Sequence, residues 1–187
     1  MSDFNRAKYF EKLDAYIKET FKRPVKNVPT YDILDTEKSK STKREALKLK
    51  QYQMKIGEIW QETIGSYAGC INLKVGHETG LDILSHTRKF AVELKNRTNT
   101  DNASSRKTNN DKLAKFKTEH PEYTCIYAMI NCDTEEETIQ TKNKKFYHGG
   151  VELEQYVGLE FLTFIFASDT NIIIEFLKNT IAKYSTL

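Results

Sequence analysis

The sequence predicts an α/β fold in a single domain, a central mixed β-sheet flanked by helices. Three observations lead there. At 187 residues the chain suits one domain with a sizeable core. Between residues 81 and 94, Leu81, Ile83, Phe90, Val92 and Leu94 alternate with polar positions at the period of two that a pleated strand imposes. Tyr123–Asn131 is then a nearly continuous apolar run of strand length, and the short helical stretch before it allows a strand, helix, strand crossover to a parallel partner. The domain, residues 1–187, divides into a helical N-terminal part (1–68), a sheet-forming core (70–131), and outer strands with C-terminal helices (132–187).

Taken in order, residues 3–22 form an amphipathic helix with Phe10, Leu13, Ile17 and Phe21 at helical spacing, ended by Pro24. Residues 24–42, with two prolines and few periodic apolar side chains, read as an extended connection. A longer helix from about 43 to 64 buries a stripe through Leu49, Tyr52, Ile56, Ile59, Trp60 and Ile64. The glycines of 65–69 break it, and 70–75 begins the sheet. Beyond the paired strands, residues 97–110 carry one alanine and no larger apolar side chain, which reads as a long polar loop; Asn110 or Asp111 then caps a short helix with Leu113 and Phe116 inward. After 131 come an acidic loop, outer strands around Gly149-Gly150, and helices at 159–166 and 169–184.

The chemistry lies at the off-phase positions of the paired strands. If Leu81 faces Leu94 and Ile83 faces Val92, Asp82 comes opposite Glu93, with Lys95 on the same face. Two carboxylates about 5 Å apart repel by roughly 3 kcal/mol at an effective dielectric near ~20, so keeping both ionised calls for a cation between them. Hard oxygen ligands favour Mg²⁺, with Asp82 and Glu93 as its ligands. Around these acids the chain is basic: residues 88–117 hold nine Lys or Arg against three Asp or Glu, an excess of six, although the whole chain carries only +3. Clustered acids inside a basic field suit metal-dependent cleavage of a polyanion such as nucleic acid.

Gly80-Leu81-Asp82, a ten-residue gap, and Glu93-Leu94-Lys95 resemble the PD-(D/E)xK nuclease motif. Glu93-Leu94-Lys95-Asn96-Arg97 with Asn99-Thr100 and a polar stretch is similar to short type II restriction endonucleases, most strongly over 56–131. Leu81 stands where the motif has its proline. The resemblance implies a restriction-endonuclease-like fold and Mg²⁺-dependent hydrolysis of double-stranded DNA, with Asp82 and Glu93 on the metal and Lys95 at the attacked phosphate. It also implies a supporting glutamate from the preceding helix: Glu58 matches by its place in Gly57-Glu58-Ile59, and Glu62 lies one turn away on the same face. A junction resolvase or repair nuclease uses the same constellation, and a DNA-binding protein without catalysis would pair these acids with Lys95 and nearby arginines.

Asn, Ser, Thr, Arg and Lys are the side chains that hydrogen-bond base edges and phosphates. The DNA-reading candidates are accordingly Asn96, Arg97, Asn99, Asn102, Ser104, Ser105, Arg106, Lys107 and Asn109. A palindromic duplex presents two equivalent scissile bonds, which predicts a homodimer. Other chemistries find no support: there is no phosphate-binding glycine loop and no metalloprotease helix motif, and Gly65-Ser66-Tyr67-Ala68-Gly69 has its serine in the wrong place for a nucleophile elbow. Cys70, Cys125 and Cys132 lack metal-type spacing and read as reduced thiols. No apolar run is long enough to span a bilayer and no signal-peptide core is evident, which predicts a cytoplasmic protein with no membrane partner.

Overall fold

A computed structural model describes residues 4–24, 28–74, 76–97, 102–131 and 144–185. It is a single α/β domain around a six-stranded mixed sheet of order β1-β2-β3-β4-β6-β5. The strands are β1 (Ile71–Asn72), β2 (Ile83–Ser85), β3 (Phe90–Arg97), β4 (Thr124–Asn131), β5 (Lys144–His148) and β6 (Val151–Val157). The helices are α1 (Arg6–Lys22), α2 (Glu37–Gly65), α3 (Ala103–Glu119), α4 (Gly158–Phe166) and α5 (Thr170–Tyr184).

The central strands β3, β4 and β6 run parallel, and the outer pairs β1·β2, β2·β3 and β5·β6 are antiparallel. Helix α3 makes the expected crossover from β3 to β4, whose six inner residues are buried because helices cover both of its faces. On one face Ile83, Phe90, Val92, Ile126, Ala128 and Ile130 pack against α1, the C-terminal half of α2, α4 and α5. On the other, Leu84, Ala91, Cys125, Tyr127 and Met129 pack beneath Leu113, Ala114 and Phe116 of α3. Toward the C-terminal end of β3 burial falls away, with Leu94, Lys95 and Asn96 half-buried and Arg97 exposed.

Both polar-rich stretches depart from the reading by periodicity. Helix α2 starts at Glu37, within the expected connection, because Thr36 caps it by accepting the Ser39 N–H at 3.2 Å. Its first half buries little, and Leu49, expected in the stripe, is exposed. Of the expected loop 97–110, residues 98–101 lie outside the described residues, and the rest is a correction of more consequence. From Ala103 onward it is α3, capped by Asn102, whose Oδ1 accepts the Ser105 N–H at 2.8 Å. The buried positions of its first turns are Asn109 and Asn110 rather than aliphatic residues, so the helical period carries no hydrophobic signal there.

Local constraint is clearest where α2 meets β1. A Cβ on Gly65 would lie 2.4 Å from the Asn72 Cβ and 2.7 Å from its Cα, so only glycine lets the helix end abut the strand.

Candidate active site

Strand β2 pairs with β3 in the expected register, Ile83 opposite Val92. At Asp82 the regular ladder stops. The Asp82 N–H donates to the Val92 carbonyl at 3.0 Å, and its Oδ2 accepts the Leu94 N–H at 2.8 Å. The carboxylate thus takes over a main-chain bond of the ladder, which locks its orientation. The irregularity also turns Leu81 to the α3 face, beside Leu84 and Ala91, rather than to the face of Ile83 and Leu94; this corrects the expected Leu81 and Leu94 pairing.

Glu93 and Lys95 project together from β3 toward α3. The Lys95 Nζ donates to Glu93 Oε1 at 2.7 Å. Glu93 is only 3% exposed, and its Oε2 is buried with no hydrogen-bond partner among the described residues. Burial raises the pKa of Asp82 above the ordinary carboxylate value, against the Leu94 N–H and the charges of Lys95 and Lys112. Burial raises that of Glu93 too, Asp82 adds to the rise, and Lys95 and Lys112 oppose it. A half-buried acid beside a buried one whose charge it disfavours, the latter with an orphaned oxygen, matches the donor set of a hard divalent cation. Among the described residues no cluster of three or more His, Cys, Asp or Glu occurs, so such a cation would draw its remaining ligands from solvent, main chain or phosphate.

From α2 the side chain that reaches this site is Gln61. Its Nε2 lies 3.3 Å from Asp82 Oδ1 and 3.2 Å from Asn72 Oδ1, while Asn72 donates to Glu62 at 2.9 Å. Glu58 turns the other way, pairing with Arg23 at 2.5 Å on the α1 side with its side chain 43% exposed. The position that sequence reasoning assigned to Glu58 is thus occupied by the residue three along the helix, a turn of about 60° on the wheel. Glu62 belongs to the same polar chain at one remove.

The nine DNA-reading candidates separate by environment. Asn102, Ser104, Ser105 and Lys107 are exposed on the first turns of α3, and Arg97 is exposed at the end of β3. Three are turned inward. Asn96 accepts from Asn131 Nδ2 at 2.9 Å and approaches the Gln53 carbonyl, tying β3 to β4 and α2. Arg106 donates to Gln155 Oε1 at 2.5 Å and lies 5.1 Å from the Tyr127 ring centroid, above the row Glu93, Tyr127, Gln155 that crosses β3, β4 and β6. Asn109 is buried and accepts from Lys112. Asn99 lies outside the described residues. Sequence reading missed Gln61 and Lys112; the one trace of the second was its place in the basic count.

A six-stranded mixed sheet flanked by helices in a single domain is a restriction-endonuclease-like fold, and the family match below makes the chain a type II restriction endonuclease-like nuclease. The Eco47II restriction endonuclease family model matches residues 2–165, and the chain belongs to that family. Comparison with curated proteins gave no match. None of the described helices is long and apolar enough to cross a membrane.

Proposed function

We propose that the protein is an Mg²⁺-dependent, sequence-specific endonuclease of double-stranded DNA that uses a PD-(D/E)xK site made of Asp82, Glu93 and Lys95. The observation that carries this reading is the orphaned, buried Glu93 Oε2 beside Asp82. Burying an unpartnered carboxylate oxygen costs on the order of 1–3 kcal/mol, a cost that a bound cation removes. Asp82 and Glu93 would hold the ion, which supplies charge neutralisation at the phosphate and a more acidic water.

The remaining work falls to the chain's own side chains. Asp82 is aimed by Leu94 and Gln61, so it needs no rearrangement to accept a ligand. The Lys95 ammonium, which neutralises Glu93, would orient the attacking water and offset charge on the phosphate. The water oxygen forms its bond to phosphorus and gives up a proton to solvent; the bond to the 3′ oxygen breaks, and that oxygen takes a proton from solvent. The exposed side chains at the start of α3 supply the sequence-reading surface, and two protomers on a two-fold site cut both strands.

Incubation of a plasmid with the protein in Mg²⁺ and in EDTA, followed by sequencing of the ends, tests the reading. Discrete fragments with one recurrent end sequence, formed only in Mg²⁺, are the expected result. Binding without cleavage at any metal concentration would sink it in favour of a non-catalytic DNA-binding protein.

A further inference from the structure

Helix α3 brings one more cation to the site than the motif contains. Lys112 is half-buried, and its stem lies across Gly80, two residues before Asp82. A Cβ at position 80 would sit 3.3 Å from Lys112 Cδ and Cε and 3.7 Å from its Nζ, which places the lysine stem against this turn, and the φ of +64° at Gly80 is a backbone conformation that favours glycine. Among the described residues the ammonium has a single hydrogen bond, at 3.3 Å, to the neutral Oδ1 of buried Asn109. It makes no ion pair among the described residues, although its charge acts on both Asp82 and Glu93.

The neighbouring lysines differ. Lys95 is committed to Glu93, Lys117 is bound to the Pro121 and Tyr123 carbonyls at 2.8 and 2.7 Å, and Lys115 is exposed one turn further out. An ammonium offers three donors, and the described residues take up one of those on Lys112. A half-buried cation held by one long bond, beside two acids but salt-bridged to neither, is poised for an anion that arrives from outside.

We propose that Lys112 is a second cationic group of the active site, donating to a phosphate oxygen of the DNA strand being cut. The inference rests on the nuclease reading above and extends it to a residue outside the motif. Two carboxylates and two lysines make the site neutral, so a divalent cation would leave it at about +2, a charge matched to a phosphate that gains negative charge during displacement.

Two measurements decide it. At saturating enzyme, Lys112→Met should slow single-turnover plasmid cleavage by about 100-fold, the loss seen when one transition-state donor is removed, and Lys112→Arg should restore part of the rate. In EDTA, with a short mixed-sequence duplex, Lys112→Met should flatten the slope of log K against log salt by about one. Lys115→Met is the matched control and should leave the cleavage rate near wild type. Lys112→Gln serves if the Met variant does not fold. Cleavage within two-fold of wild type overturns the proposal, as does loss of rate with no change in slope or an equal loss in Lys115→Met. If Asp82→Asn also leaves cleavage intact, the nuclease reading itself fails, and the salt slope still decides whether Lys112 touches phosphate.

Discussion

Glu93 gives one carboxylate oxygen to Lys95 and leaves the other buried without a partner among the described residues, and that asymmetry fixes what its removal should do. Asp82→Asn, Glu93→Gln and Lys95→Met should each reduce cleavage by at least about 100-fold while the fold survives. Near wild-type rates in the two acid variants would rule out the proposed metal site. A thermodynamic signature should accompany the loss. Because both folded-state pKa values are raised, the native state holds protons that the unfolded chain has released, so these acids stabilise less as pH rises from the ordinary carboxylate range through the raised values. Glu93→Gln should therefore melt at or above wild type at neutral pH in EDTA, and Mg²⁺ should raise the melting midpoint of wild type only. Gln61 gives a sharper comparison. Gln61→Ala should slow cleavage more than Glu58→Gln, since Gln61 aims Asp82 whereas Glu58 pairs with Arg23; kinetics of the two variants with the reverse ranking would return the role to Glu58.

Helix α3 combines an anchor and a working surface. Leu113 and Phe116 fix its second half to the sheet, so Leu113→Ala should cost about 2–5 kcal/mol in urea unfolding. At its start Asn102 has the cap role, and Asn102→Ala should cost about 1 kcal/mol and fray the turns that carry Ser104, Ser105 and Lys107. Scanning those three exposed positions against the mapped site and its single-base variants should find at least one that lowers cognate cleavage far more than non-specific binding. Arg106 should behave differently, because its loss uncovers Gln155 and Tyr127 and so lowers stability as well. Where α2 abuts β1 space is the limit: Gly65→Ala should destabilise by about 1–3 kcal/mol and weaken catalysis through the Asn72 and Gln61 contact.

One chain presents one such site, while a palindromic duplex offers two scissile bonds. The whole molecule is therefore expected to act as a two-fold dimer, and sedimentation of the protein on its mapped duplex should show two protomers; a monomer on cleaved DNA would exclude it. Cleavage should rise with pH through the raised carboxylate values, because a cation must compete with protons on Asp82 and Glu93, and added Mg²⁺ should move the midpoint downward. A rate independent of pH across the acid range, at limiting Mg²⁺, would contradict that competition.

The alternation of Ile83 with Phe90, Val92 and Leu94, and the apolar run of β4, were legible by themselves, because a strand's period is set by its own pleat and needs no partner to be read. They carried the β2·β3 register, the parallel β3·β4 crossover, and the trio Asp82, Glu93, Lys95. What escaped depends on surroundings. Residues 103–110 have no apolar stripe, since the sheet row beneath them is itself polar at Glu93, Tyr127 and Gln155, and only that docking shows why a run of Ser, Arg, Lys and Asn is a helix. On α2, Glu58, Gln61 and Glu62 fall within about 100° of one another on the wheel, too close for periodicity to choose which faces Asp82; the abutment of Gly65 against Asn72 makes that choice. Lys112 became an active-site residue only when the chain folded its helix over Gly80, a contact across thirty-two positions that no local pattern encodes.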